Sequence, residues 1–239
     1  MGKKLIIKGA DFSANHIVME TYTRLLWVTS NGENQHFELP IKLTPNKRIE
    51  VDFSVPQELV DKVLTSGSER HYICGSSGGT AKNWGHIGFF KYYSSSNPNP
   101  SANNNIICTF GLAKDQYAGN NSYKITDGSM HTVSICRNSL QLDDITPVDI
   151  SASNVDLDSY GSSADVFLWV MGCNITNGGS SDIHIHGFRS YTDYTDNSSI
   201  EMNLFPVRKW LDNKIYMYDS INDIYIRAND NNDPLYSTI

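Results

Sequence analysis

Along most of this chain apolar residues recur at every second position, between short clusters of Gly, Asn, Asp, Ser and Pro. That pattern predicts strands joined by turns. The cleanest run is Arg48–Val55, where Ile49, Val51, Phe53 and Val55 share one face and Glu50, Asp52 and Ser54 the other. Asp182–Tyr191 alternates as well, with Ile183, Ile185 and Gly187 set against His184, His186 and Phe188. Further strands are expected over Phe37–Leu43, His71–Ser77, Ile87–Tyr93, Ile106–Gly111, Ser122–Ile125, Met130–Cys136 and Leu140–Leu142. Val166–Met171 is continuously apolar, which suits a strand covered on both faces. Ile215–Ile226 reads as a hairpin connected through Asp219–Asp223, and Asn31-Gly32 and Asp127-Gly128 are turn signals. Gln57–Leu64 predicts a helical turn or two; His16–Trp27 fits neither period, leaving a helix over Val18–Leu26 open.

These elements predict an all-β protein, an antiparallel two-sheet β-sandwich with a short N-terminal segment. Thirteen Tyr, nine Phe and four Trp in 239 residues agree, since aromatic side chains suit pleated surfaces. Chains of this length commonly form one β domain. The expected division is an N-terminal strand or arm over 1–46, the sandwich over 47–228 and a loose polar tail over 229–239. Ser94–Asn105 is too polar to order itself and is expected to be a loop.

A formal net charge of -7 argues against nucleic-acid binding, which needs a basic footprint. No apolar run is long enough to span a bilayer. Leu5-Ile-Ile7 is too short for an export signal, so synthesis in a cytoplasm is expected. Cys74, Cys108, Cys136 and Cys173 are widely spaced, without the short ligand spacing of a zinc site, and read as free buried thiols.

Several motifs carry a resemblance. Phe188 and Tyr191, then Leu204 and Pro206, then Met217-Tyr218-Asp219 and Tyr225 form an end-pattern similar to that of concanavalin A-like, laminin-G-type jelly rolls. The kind meant occurs in virion and surface proteins of gut Bacteroidetes and their phages. Ile49-Glu50 with Phe53, Cys74-Gly75-Ser76 and Asp127-Gly128 with His131-Thr132-Val133 resemble earlier strands of that family. The opening Leu5–Asn15 is similar to openings of phage and prophage proteins. The resemblance implies a non-enzymatic virion protein: a head fibre, capsid decoration or tail-associated protein displaying a lectin-like sandwich. It would be found in the virion and outside the cell after release. Its partners would be other copies of itself, other virion proteins and a cell-surface glycan. A free-standing bacterial lectin and a glycoside hydrolase stand as alternatives.

For glycan binding, exposed aromatics beside amide-rich loops matter, since a ring face stacks on a sugar while amides bind hydroxyls. The candidate ligand-binding residues are Trp84, Tyr93, Asn103, Asn104, Tyr117 and Asn120, with Tyr92, Asn97–Asn105 and Asn121 beside them. A hydrolase would need two facing carboxylates, and Glu50 with Asp52 is the only acidic pair at strand spacing on a convincing strand. His184 and His186 could face one side as metal ligands, yet no further ligand lies at suitable spacing, and no metal or cofactor is expected from them. A structural calcium, of the kind such sandwiches hold at a loop rim, would draw on Asp143, Asp144, Asp156 and Asp158. No G-x-S-x-G motif supports a serine hydrolase.

Overall fold

A computed structural model of the protein describes residues 22–31, 35–77, 83–96, 103–110, 123–151, 167–172, 182–229 and 232–239. In chain order the elements are β1 (Tyr22–Thr29), β2 (Phe37–Lys42), β3 (Arg48–Ser54), α1 (Gln57–Asp61), β4 (Ser68–Ser77), β5 (Asn83–Tyr92), β6 (Asn104–Phe110) and β7 (Met130–Cys136). They continue as β8 (Ser139–Leu142), β9 (Val148–Asp149), β10 (Phe167–Val170), β11 (His184–Tyr191), β12 (Ile200–Lys209), β13 (Ile215–Asp219), β14 (Ile224–Ile226) and β15 (Leu235–Thr238). The expected two-sheet antiparallel sandwich is what forms. The larger, ten-stranded sheet runs β14-β13-β12-β1-β11-β3-β7-β8-β9, with β15 added on β1; the smaller, five-stranded one runs β2-β10-β4-β5-β6.

The core lies between the sheets and follows the period-2 pattern. Ile49, Val51 and Phe53 of β3 are buried beside Val133 and Ile135 of β7, their partners or near partners across the ladder. From the facing sheet come Ile73 and Cys74, Ile87 and Phe89, Ile106 and Cys108, and Leu168 and Val170. The stretches alternate because one sheet face must leave water while the other stays in contact with it, except at β4, where a bulge between Tyr72 and Cys74 lets the adjacent Ile73 and Cys74 both enter the core. Cys74, Cys108 and Cys136 are free and buried, as expected; Cys173 lies outside the described residues.

Tyr123–Ile125, expected within a strand, belongs to none, and Asn104 and Asn105, expected in a loop, open β6. Four further expectations change. First, Tyr22–Thr29 is a strand, not part of a helix; a bulge between Leu25 and Trp27 breaks its alternation and blurs the period in the sequence. Second, β1 and β2, which precede the expected boundary at 46/47, are built into the two sheets, β1 between β12 and β11. Third, the expected loose tail contains β15, which pairs with β1 through Thr29–Leu235 and Val28–Tyr236. Fourth, the alternation read over Asp182–Tyr191 shifts phase at a bulge between Ile185 and Gly187, so that Phe188 joins Ile183 and Ile185 in the core. Gly187 then lies opposite Asp52, where an added Cβ would stand 2.9 Å from the Asp52 carboxylate; only glycine fits there without displacing that side chain.

A buried lysine and asparagine are sealed together against this apolar interior. Lys91 is 1% exposed, and its Nζ donates to the Val60 carbonyl (2.7 Å) and to Asn104 Oδ1 (2.8 Å). Asn104 Nδ2 in turn donates to the same Val60 carbonyl at 3.0 Å, tying α1 to β5 and β6. Burial lowers the Lys91 ammonium pKa from its ordinary value, with Glu69 and Asp61 pulling the other way.

Candidate binding face

The outward face of the larger sheet carries a second apolar cluster, separate from the core. On β13, Ile215 and Met217 point into the sandwich, so Tyr216 and Tyr218 point out. On β12, Met202 and Leu204 go inward, and Phe205 and Val207 outward. Tyr22 of β1 and Tyr225 of β14 complete the set. Phe205, Tyr218 and Tyr225 stand in register across three strands, and Val207 beneath the rings is fully buried.

The five rings pack edge-on and tilted. Tyr22 lies 5.2 Å from Tyr218, Tyr218 4.8 Å from Tyr225, and Phe205 5.5 Å from Tyr218, centroid to centroid. Such geometries suit the quadrupoles of aromatic rings. Two cations close over them: Arg24 is 4.4 Å above Phe205, and Lys209 is 4.1 Å above Tyr225 and 5.5 Å from Tyr216. The phenols are tethered at their edges, Tyr216 donating to Asp212 (2.6 Å) and Tyr218 to Asp223 (3.0 Å). Burial, and then the bond to Asp223, push the Tyr218 phenol well above its usual range. In the following turn Trp210 is 49% exposed and donates its Nε1 to Thr23 of β1 at 2.9 Å.

The neighbouring strands of the same face carry charge that is already paired. Arg189 donates Nε to Glu50 (2.8 Å) and both terminal nitrogens to Asp52 (2.7 and 2.8 Å). Tyr191 also donates to Glu50 (3.1 Å), Thr132 donates to Asp52 (2.7 Å), and Lys47 pairs with Glu201. Burial disfavours the Asp52 carboxylate, but Arg189 and Thr132 outweigh it and hold its pKa below the ordinary value. The two carboxylates weighed as a hydrolytic pair thus share one guanidinium.

The two histidines of β11 are engaged separately. His184 stacks on Trp27 at 3.7 Å and 4° between planes, whereas His186 Nε2 lies 2.9 Å from Ser54 Oγ. Burial lowers the pKa of both. At the far end of the sheet, His131 Nδ1 meets Asp143 (2.8 Å) and its Nε2 lies 3.3 Å from Ser129 Oγ. This has the outline of a nucleophile, base and acid. The Ser129 hydroxyl, however, is only 2.6 Å from Asp127, which also accepts the Ser129 N–H at 3.0 Å. The Ser129 hydroxyl therefore directs its proton at Asp127 and not at His131, and the cluster closes the turn. Asp143 is also bound by the Thr132 N–H at 2.7 Å, and Asp156 and Asp158 lie outside the described residues. Among the described residues no three His, Cys, Asp or Glu side chains are grouped to hold a metal ion, and no helix is long and apolar enough to cross a membrane.

The candidate ligand residues read from sequence do not assemble among the described residues. Tyr93 is exposed just after β5, while Asn103 and Asn104 are buried, Asn104 as the partner of Lys91. Those two amides belong to the interior, not to a solvent-facing rim; the lysine draws Asn104 inside. Trp84 belongs to β5 but its side chain is not described, and Tyr117 and Asn120 lie outside the described residues. The aromatic face was missed except as family landmarks at Tyr218 and Tyr225. The signal for it is the alternation Ile215-Tyr216-Met217-Tyr218, two different apolar sets on opposite faces of one strand. Neither the known protein-family models nor the curated proteins compared with this chain match it.

Proposed function

We propose that this chain is a non-enzymatic adhesion protein, a lectin-like sandwich that takes a saccharide on the outward aromatic face of its larger sheet. The observation that carries the reading is an outward aromatic cluster on a sheet whose other face already fills the core, with Phe205, Tyr216 and Tyr225 half-buried and packed on the buried Tyr22 and Tyr218. The outer face of an antiparallel sheet is ordinarily polar, so an aromatic cluster there calls for a use beyond folding. The half-buried rims of Phe205, Tyr216 and Tyr225 offer apolar contact to the C–H groups of a sugar, and Asp212 and Asp223 stand at their margins. The shared guanidinium on Glu50 and Asp52 supports binding over hydrolysis, since neither carboxylate is left to act as an independent acid or base.

The setting we propose is a phage or prophage virion, as a head fibre, capsid decoration or tail-associated protein, working as a homo-oligomer beside other virion proteins. It rests on the end-pattern around Phe188, Pro206 and Met217–Asp219 and on the opening Leu5–Asn15. The test is a glycan array probed with the full chain, together with mass spectrometry of purified particles. Selective glycan retention and presence in particles are expected. Selective retention by a chain absent from particles would favour the free-standing lectin, and no retention at all would overturn the adhesion reading.

A further inference from the structure

Resting on that reading, we infer that the saccharide taken by the outer face is anionic, with its negative group held by Arg24. Of the other six arginines, Arg48, Arg189 and Arg227 each hold a carboxylate, Arg208 donates to the Tyr236 hydroxyl, Arg70 lies over the Phe90 ring, and Arg70 and Arg137 each have a further partner. Arg24 is exposed, and among the described residues it has neither hydrogen bond nor ion pair; its contact is the Phe205 ring.

Its position makes it specific. Arg24 lies opposite Val207 on the β1–β12 ladder, and Lys209 lies opposite Tyr22, so the two cations stand one above the other on the same face. Lys209 covers the Tyr225 side of the rings and Arg24 the Phe205 side. The two acids at this face, Asp212 and Asp223, accept phenol hydroxyls of Tyr216 and Tyr218, which lessens their repulsion of an incoming anion. A guanidinium lying 4.4 Å over a ring and exposed to water keeps N–H groups for a bidentate contact with a carboxylate or a sulfate. Sugar rings bearing such a group, uronates, sialates or sulfated sugars, combine the anion with C–H groups that can meet the half-buried rims of Phe205, Tyr216 and Tyr225. The ligand class is therefore an acidic glycan.

The test compares the full chain with Arg24→Gln and Arg24→Lys on oligosaccharides of matched backbone, either neutral, carboxylated or sulfated. Acidic glycans are expected to bind at least tenfold more tightly than neutral ones, and binding should weaken as salt rises. Arg24→Gln should remove most of that preference, Arg24→Lys less, with unchanged melting temperatures because the side chain is exposed. A preference for the carboxylated or the sulfated arm identifies the anion. Equal binding of neutral and acidic glycans, or an acid preference untouched in Arg24→Gln, overturns the inference and leaves the adhesion reading standing. Retention of no glycan removes both.

Discussion

Arg189 grips Asp52 with two parallel hydrogen bonds of 2.7 and 2.8 Å across the β3–β11 ladder, and its third nitrogen reaches Glu50. This fork fixes the pairing of two central strands of the larger sheet. Replacing it with Arg189→Gln leaves two partly buried carboxylates at strand spacing without their cation. The expected loss is about 2–3 kcal/mol, below the range for fully buried pairs because these side chains keep some contact with water. Urea denaturation measures it, and Asp52→Asn added to Arg189→Gln should recover part of the loss.

Acid should weaken the fold in two stages. His86 is pushed down to about 4 by burial, with Arg70 adding to the shift, against an ordinary value of 6.5. Above pH 6.5 the ring is neutral folded or unfolded, so its contribution is constant. Below that the unfolded chain takes up the proton and the folded one does not, so stability falls between pH 6.5 and about 4, by up to ~3 kcal/mol. Asp52, whose folded pKa is depressed, adds a second loss at lower pH, where the carboxylate is protonated first in the unfolded chain. Melting temperatures across the pH range check both; His86→Phe should reduce the upper stage, and the part that remains belongs to His71, His184 and His186, whose pKa values burial also lowers.

The polar knot in the core predicts an asymmetry between its two members. Asn104→Ala removes an acceptor from a buried ammonium and a donor from the Val60 carbonyl, at an expected cost of about 2–4 kcal/mol. Lys91→Met removes the charged group itself and replaces it with a side chain of similar reach, while the Val60 carbonyl keeps its bond from Asn104. Its loss should be smaller, about 1 kcal/mol or less. Equal losses in thermal unfolding would contradict the network as described.

Asp219 caps the last hairpin from a fully buried position. Its Oδ1 accepts the Asn203 and Ile221 N–H groups at 3.1 and 3.0 Å, and its Oδ2 accepts Asn222 Nδ2 at 2.6 Å. Asp219→Ala leaves those donors without their acceptor and should lower stability by about 2–4 kcal/mol. Hydrogen exchange should then rise first at Ile221 and Asn203.

Legibility followed how strictly each strand obeyed its period. β3 alternates without interruption, and its buried set is the one read from sequence: Ile49, Val51 and Phe53 in, Glu50 and Asp52 out. β1 and β11 each carry a bulge, and the reading failed there, calling β1 ambiguous and putting Phe188 on the wrong face. The smaller misreading at Asn104 has another cause: composition marks an Asn-rich stretch as solvated, but a lysine on the next strand can satisfy the amide indoors. The outward aromatics were hard to see because a strand apolar on both faces looks like a core strand until its partners are known. Only the register of Phe205, Tyr218 and Tyr225 separates the cluster from the interior.

The order of strands in the larger sheet has a kinetic meaning. β1 is flanked by β12 and β11, and Val28 pairs with Ile185, so the first described strand waits for partners that emerge far later along the chain. Until then its ladder groups have no sheet to join, and closing so long a loop is slow. The smaller sheet's β4-β5-β6 meander needs only near neighbours and can zip first. Ribosome-bound intermediates should therefore present a half-built sandwich with a sticky open flank, a species that chaperones would recognise.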